Sequence, residues 1–248
     1  MTDAELTVRL HANVLAFKRL QTARGLLRHL GLPGVDAFCM PARPEVLYFQ
    51  QVYFTDAGAL SQALPAVEDF FHGHGARAWR VFMLPGDLEA GRVLGGAGYR
   101  PEERSAAMGA LLDELPRASP LVPLEAPETL ETLVEVNAAV WPEWADVQRI
   151  WLGPPRVPVH ALVAREGGRP LACGFALDVG DTTGVYMVAT APGARSRGLA
   201  SELMHGVHAA ARARGLTACV LQSTPAGYNL YRRLGYRDLG SWTVWGPR

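Results

Sequence analysis

The chain has 248 residues, 49% hydrophobic and 19% charged, with 24 basic residues balancing 24 acidic ones. This composition supports an ordinary buried core and excludes wholesale disorder and a coiled coil, and the balanced charge gives no general attraction to nucleic acid or an acidic membrane. The length accommodates one large domain or two small ones. Cys39, Cys173 and Cys219 are far apart and form no CxxC pair. They are expected as buried small hydrophobes in a reducing compartment, not as a disulfide framework or zinc knuckle. The first twenty residues carry charges throughout, unlike a signal peptide. No window approaches the roughly 18 apolar residues of a membrane span, so a cytoplasmic protein is expected.

In chain order, an amphipathic opening runs from about Leu6 to Leu30. GVDAFCMPARPEVLYFQQVYF then reads as two short strands parted by a proline turn. SQALPAVEDFFHG spaces Leu64, Val67 and Phe71 at three and four, which predicts a helix with a proline in its first turns. ARAWRVFML reads as a strand, DLEAGRVLGGAGYR as a short helix ending at glycine, and SAAMGALLDEL as another helix. The proline-rich PRASPLVPLEAPE closes this half. In the second half, Thr129 to Trp141 is predicted helical, and PEWADVQRIWLG adds a short helix rich in tryptophan. VHALVAR and LACGFALDV are strands joined by the hairpin turn EGGRP, and GVYMVAT is a third. Gly198 to Arg214 is a helix with Leu199, Leu203 and Val207 on one face. TACVLQS (strand), AGYNLYRRLG (short helix) and the extended YRDLGSWTVWG follow. The order is an α/β pattern. It is also partly duplicated: GARAWRV leads through a short helix to AGYR, as GLTACVL leads to LGYR, which suggests a tandem domain.

The most informative stretch is APGARSRGLASELM, Ala191 to Met204. A strand feeding a tight loop and then a helix leaves unpaired backbone N–H groups at the loop tip, with the positive end of the helix dipole aimed there. Gly193 and Gly198 allow close approach of a ligand, and Arg195 and Arg197 add charge that can fork onto phosphate oxygens. The physics describes an anion site; an ordinary strand–helix turn with solvent-facing arginines is the alternative. GxGxxG and GxxxxGK[ST] are both absent, which disfavours a dinucleotide site and a P-loop.

Arg195-Ser196-Arg197-Gly198-Leu199-Ala200, preceded by a strand and followed after a helix and strand by LYRRLGY (Leu230 to Tyr236), resembles the GCN5-related N-acetyltransferase (GNAT) superfamily. The resemblance covers about Leu121 to Arg248. It implies a GNAT-like α/β fold with a mixed, mostly antiparallel central sheet flanked by helices, present in two copies. It also implies acetyl-CoA as acyl donor. Backbone amides from Ala194 or Arg195 to Leu199 or Ala200 would hold the pyrophosphate, with Arg195, Ser196, Arg197, Gly198, Leu199, Ala200 and Ser201 as the binding residues. Val188, Ala189 and Thr190 would meet the pantetheine arm, and an N–H near Val188 would steady the oxyanion. Tyr231 would stand near the sulfur as general acid, or else pack under CoA without proton transfer. Three positions depart from the family pattern. Thr224 replaces a frequent asparagine, Asn229 is not at the family position, and Gly227 stands where alanine is common.

The reaction implied is direct attack of an amine on the thioester, with no covalent enzyme intermediate; Cys219 reads as core. Asp178, Asp181 and Glu143 are candidate bases. Trp141, Trp144 and Tyr186, with Trp151 nearby, are candidates for the acceptor pocket. The His72/His74 and His205/His208 pairs lack neighbouring ligands, and no metal is expected. In the first half TDAGALSQ is the counterpart of the glycine-arginine loop, but it has no arginine and carries Asp56. Residues 1–118 therefore read as a degenerate copy without a cofactor site, and 121–248 as the acetyl-CoA-binding domain. The expected activity is acetylation of a primary amine on a small or peptide-like molecule, with a non-catalytic acyl-CoA-binding module as the alternative. Neither nucleic acid nor membrane is an expected partner, and a homodimer is compatible with this reading.

Overall fold

A computed structural model of the protein describes residues 1–127, 129–153 and 158–247. Its elements in chain order are α1 (Asp3–Ala23), β1 (Arg28–Leu32), β2 (Val35–Cys39), β3 (Gln51–Phe54), α2 (Ala57–Gly73), β4 (Arg80–Met83), α3 (Leu88–Gly96) and β5 (Arg100–Leu111). They continue with β6 (Leu124–Glu125), α4 (Glu131–Ala138), α5 (Ala145–Leu152), β7 (His160–Glu166), β8 (Arg169–Val179) and β9 (Thr182–Thr190). The last are α6 (Leu199–Ala213), β10 (Ala218–Ser223), α7 (Pro225–Leu234) and β11 (Arg237–Gly246). The chain divides into two compact units, one of Met1–Val14 with Met108–Asp238, the other of Leu15–Ala107 with Leu239–Arg248. Among the described residues no helix is long and apolar enough to cross a membrane.

In the first unit the strands lie in the order β10-β9-β8-β7-β6. The β10–β9 pair is parallel and the others are antiparallel. β8 is buried continuously from Pro170 to Leu177, as a strand covered on both faces must be. Helices α4 and α6 both pack on it. Leu199 and Leu203 of α6 sit in a cluster with Ala164, Leu171 and Ala172. This fixes the start of α6 beside the end of β9, which is the geometry the loop needs.

The second unit has the order β1-β2-β3-β4-β11, with β3–β4 parallel and the other pairs antiparallel. Phe54, Leu60, Val67, Phe71, Trp79 and Leu94 fill its core. Phe71 stacks on Trp79 at 4.9 Å, and the indole of Trp79 donates to the Tyr99 hydroxyl at 2.9 Å.

Three expectations need correction. SAAMGALLDEL is not a helix: its first seven residues complete β5. Residues 107–110 are buried in an unbroken row, so sheet burial overrides the helical preference of Ala, Met and Leu. The opening helix ends at Ala23, and the residues up to Leu32 turn back as β1, paired with β2 through His29↔Phe38 and Leu30↔Ala37. TDAGALSQ is not a loop either. Asp56 is the N-cap of α2, accepting from the Ala59 N–H at 2.8 Å, and the helix begins at Ala57. The carboxylate thus caps the very helix end that an anion would need, and Pro65 falls deeper in α2 than its first turns.

Candidate active site

β9 leaves the sheet at Thr190, passes through a single helical turn at Pro192–Ala194, and reaches Gly198, the N-cap of α6. Ser196 has φ +62° and Gly198 φ +78°, so the chain reverses through two left-handed residues before α6 starts. No side chain caps that start. The first-turn amides have no intrahelical acceptor, and the helix dipole reinforces them as an anion cradle. The turn uses the Ala194 N–H, which bonds Ala191 O at 2.8 Å, so that donor is taken. The two arginines part company. Arg195 lines a cavity of about 600 Å³, as does Ala200. Arg197 instead grips Glu166 through two bonds of 2.6 and 3.2 Å. Hydrogen bonding to Arg197 lowers the pKa of Glu166, and the same bond raises that of Arg197.

Val188, Ala189 and Thr190 line the same cavity, where β9 separates from its neighbours. The β9–β10 register ends at Val185↔Leu221. On the other side, the β8–β9 register runs from Cys173↔Ala189 to Phe175↔Tyr186, so Met187 and Val188 together face the single residue Gly174. This is a β-bulge. It places Met187 at φ +54°, one of two non-glycine residues in that region among those described. Gly174 makes the bulge possible: a Cβ there would lie 2.9 Å from Leu203 Cδ2 and 3.2 Å from Val188 Cγ2.

The third wall is α7. Thr224 caps it by accepting from the Gly227 N–H at 3.3 Å, which is what the residue in the family's asparagine position does here. Tyr231 is buried and lines the cavity. Burial, followed by the nearby Cys219, raises its pKa, so its hydroxyl keeps its proton across the neutral range. A Cβ on Gly227 would approach Tyr231 Cε2 to 3.0 Å, so glycine leaves room for the ring. Beneath it, Tyr236 donates to Cys219 Sγ at 2.9 Å and pairs with His208 Nε2 at 2.8 Å. Cys219 is fully buried, with its thiol pKa pushed up to about 12 by desolvation.

At the far end stand Trp141, Val140 and Tyr186, joined by Leu10 and Val14 of α1. The pattern of the second half alone gave no sign of this helix wall. Asn13, fully buried, explains how α1 is held: its Nδ2 donates to Leu177 O at 2.9 Å and its Oδ1 accepts from the Tyr186 hydroxyl at 2.6 Å. Tyr186 also stacks on Phe175 at 5.2 Å. Trp144 does not line the cavity and Trp151 is buried. Nor do Ser196, Arg197, Gly198, Leu199 and Ser201 line it; they form the turn and helix start at its edge.

The three candidate bases lie elsewhere. Asp178 is held by Arg214 at 2.7 Å and Thr183 at 2.7 Å, and Asp181 by Arg9 at 3.2 Å and Thr217 at 2.8 Å. The Arg9 and Thr217 bonds bring the Asp181 pKa down to about 2. Glu143 is exposed in the turn before α5. Among the described residues, the cavity lining contains neither a carboxylate nor an imidazole.

Residues 158–238 match the acetyltransferase (GNAT) domain family. No curated protein matches the sequence at a significant level. Among solved structures, the chain is similar to a GCN5-related N-acetyltransferase from Kribbella flavida, at 18% identity and TM-score 0.72, covering 96% of this chain and 94% of that one. A GCN5-related N-acetyltransferase from Sphaerobacter thermophilus is similar at 17% identity and TM-score 0.61, over 99% and 93% of the two chains. A conserved protein of unknown function from Staphylococcus epidermidis follows at 12% identity and TM-score 0.66, over 89% and 94%. At such identities the shared property is the fold. Residues 158–238 thus carry an acetyltransferase (GNAT) domain, and over nearly its whole length the chain shares the fold of GCN5-related N-acetyltransferases.

Proposed function

We propose that the protein transfers an acetyl group from acetyl-CoA to the primary amine of a small or peptide-like molecule. One observation carries this reading: a single cavity is lined by Arg195 and Ala200 beside the uncapped start of α6, by the β9 bulge and by Tyr231. The loop residues fit a pyrophosphate, because the first-turn amides and Arg195 offer donors and positive charge while Gly193 and Gly198 stay clear of any neighbour within 4 Å of an added Cβ. Acetyl-CoA, when bound, supplies an activated acyl thioester. The Val188 N–H donates to the acyl oxygen as negative charge develops there. Tyr231, keeping its proton, donates a hydrogen bond to the departing sulfur. With no carboxylate or imidazole in the described lining, the acceptor enters as the neutral amine and its proton is lost to solvent. Rates limited by this step rise with pH up to the pKa of the amine itself.

Calorimetry with acetyl-CoA tests the reading, with Gly198→Val as control. At φ +78° a β-branched residue is strongly disfavoured, so the variant is expected to lose binding while remaining folded. Unchanged affinity would remove this turn as the pyrophosphate site. Thiol release against a panel of amines then separates an enzyme from an acyl-CoA binder. Tyr231→Phe is expected to lower turnover more than affinity.

A further inference from the structure

The β9 bulge is held from behind by a residue that breaks its own helix's pattern. α4 buries Leu133, Val134 and Val136, and at the next position, where another apolar side chain would suit, stands Asn137, 1% exposed. A buried amide is costly unless bonded. Asn137 Nδ2 lies 2.9 Å from Leu133 O, 3.2 Å from Cys173 Sγ and 3.3 Å from Met187 O. Contact with two carbonyl oxygens assigns this end of the amide as the donor. Cys173 is itself fully buried, and its Sγ lies 3.8 Å from the same Met187 oxygen.

The Met187 carbonyl and the Val188 N–H belong to one peptide unit. In a planar trans peptide the C=O and N–H point in opposite directions. A grip on the Met187 oxygen therefore also fixes the direction of the N–H of Val188, a residue that lines the cavity. The grip also secures a backbone conformation that a non-glycine residue resists, since Met187 sits at φ +54°. A hydrogen bond to the carbonyl further polarises the N–H of the same peptide.

We propose that Asn137 is a positioning residue for acyl transfer, fixing the Met187–Val188 peptide so that its N–H meets the acyl oxygen. The inference rests on the acetyl-CoA reading and adds to it the device that orients the donor. Carbon-13 NMR of acetyl-CoA labelled at the acyl carbonyl reads the effect without needing the acceptor. On the wild-type protein the bound carbonyl resonance is expected downfield of the free one. In Asn137→Leu and the isosteric Asn137→Asp it returns toward the free position, while calorimetric affinity stays within about tenfold, because only one hydrogen bond to the ligand is lost. A folded variant whose bound resonance stays at the wild-type position overturns the inference. A second measurement needs no variant: the Val188 amide proton is expected to shift downfield when acetyl-CoA binds, and an unmoved signal in the saturated protein overturns the inference equally. Absence of any binding to the wild-type protein would overturn the acetyl-CoA reading, and this inference with it. Binding without the carbonyl shift would overturn the inference and the Val188 N–H role, while leaving acetyl-CoA as the ligand.

Discussion

Gly184→Ala is the substitution whose consequence is most closely set by the geometry. A Cβ at position 184 would lie 1.9 Å from Asn13 Oδ1, an overlap that no rotamer change of the alanine can relieve. The Asn13 amide cannot step aside freely, because it holds Leu177 O at 2.9 Å and the Tyr186 hydroxyl at 2.6 Å. Displacing it breaks two buried hydrogen bonds, a loss of about 3 kcal/mol. Residual overpacking adds about 1 kcal/mol or more. Asn13→Ala alone breaks the same two bonds and is expected to cost about 3 kcal/mol. Combined, the new methyl enters the space that the amide vacated, so the double variant should cost little more than Asn13→Ala. The expected coupling is about 4 kcal/mol in favour of the double variant, beyond the usual range of about 0.5–3 kcal/mol for residues in contact. Urea unfolding of the four proteins at constant m-value measures it. Additive single-variant losses would refute the reasoning, since they would mean that the methyl and the amide never compete for the same space.

Glu166→Gln is expected to strengthen acetyl-CoA binding severalfold at low salt, because it frees the Arg197 guanidinium that the carboxylate now holds at 2.6 Å; calorimetry at two salt concentrations checks this, and weaker binding would assign Glu166 a supporting role in the loop. His208 has a folded-state pKa near 3, lowered by burial and then by Arg212 and His205, against an ordinary value of 6.5. Between these values the unfolded chain binds the proton and the folded one does not. Its contribution is therefore fully present above 6.5 and is lost as pH falls toward 3. His208→Gln should flatten the acid limb of a stability-versus-pH curve, and an unchanged slope would assign that limb to other groups.

The strand–turn–helix path around the glycine-arginine stretch was legible in the sequence because its signals are local: glycines, a proline and a helix start within ten positions. The features that complete the site are not local. A strand period of two carries no mark for an extra residue, so GVYMVAT gave no hint that Met187 and Val188 share one partner. Asn137 is one polar residue within an apolar helix, and only the fold brings it to the Met187 carbonyl, 50 positions on. The wall formed by Leu10 and Val14 depends on Asn13 meeting Tyr186 across 173 positions, beyond the reach of any periodicity. The acceptor-pocket expectation accordingly included Trp144, which lies outside the lining, and omitted α1. SAAMGALLDEL misled for the opposite reason: its residue types favour a helix locally, and burial in a row decided otherwise.

The path of the chain through its two compact units bears on how the molecule is made. One unit needs residues 1–14 together with 108–238, and the other is completed only by residues from 239 onward. No single cleavage of the backbone releases either unit whole. During synthesis the strands β1 to β4 emerge early, but β4 receives the antiparallel partner Val244↔Phe82 only when β11 has left the ribosome. Until then β4 presents an unpaired edge, the kind of surface that recruits stray strands. A nonsense codon near position 239 would therefore leave nearly all of the cavity-bearing unit encoded while stripping β4 of β11, and its expected signature is aggregation rather than selective loss of catalysis.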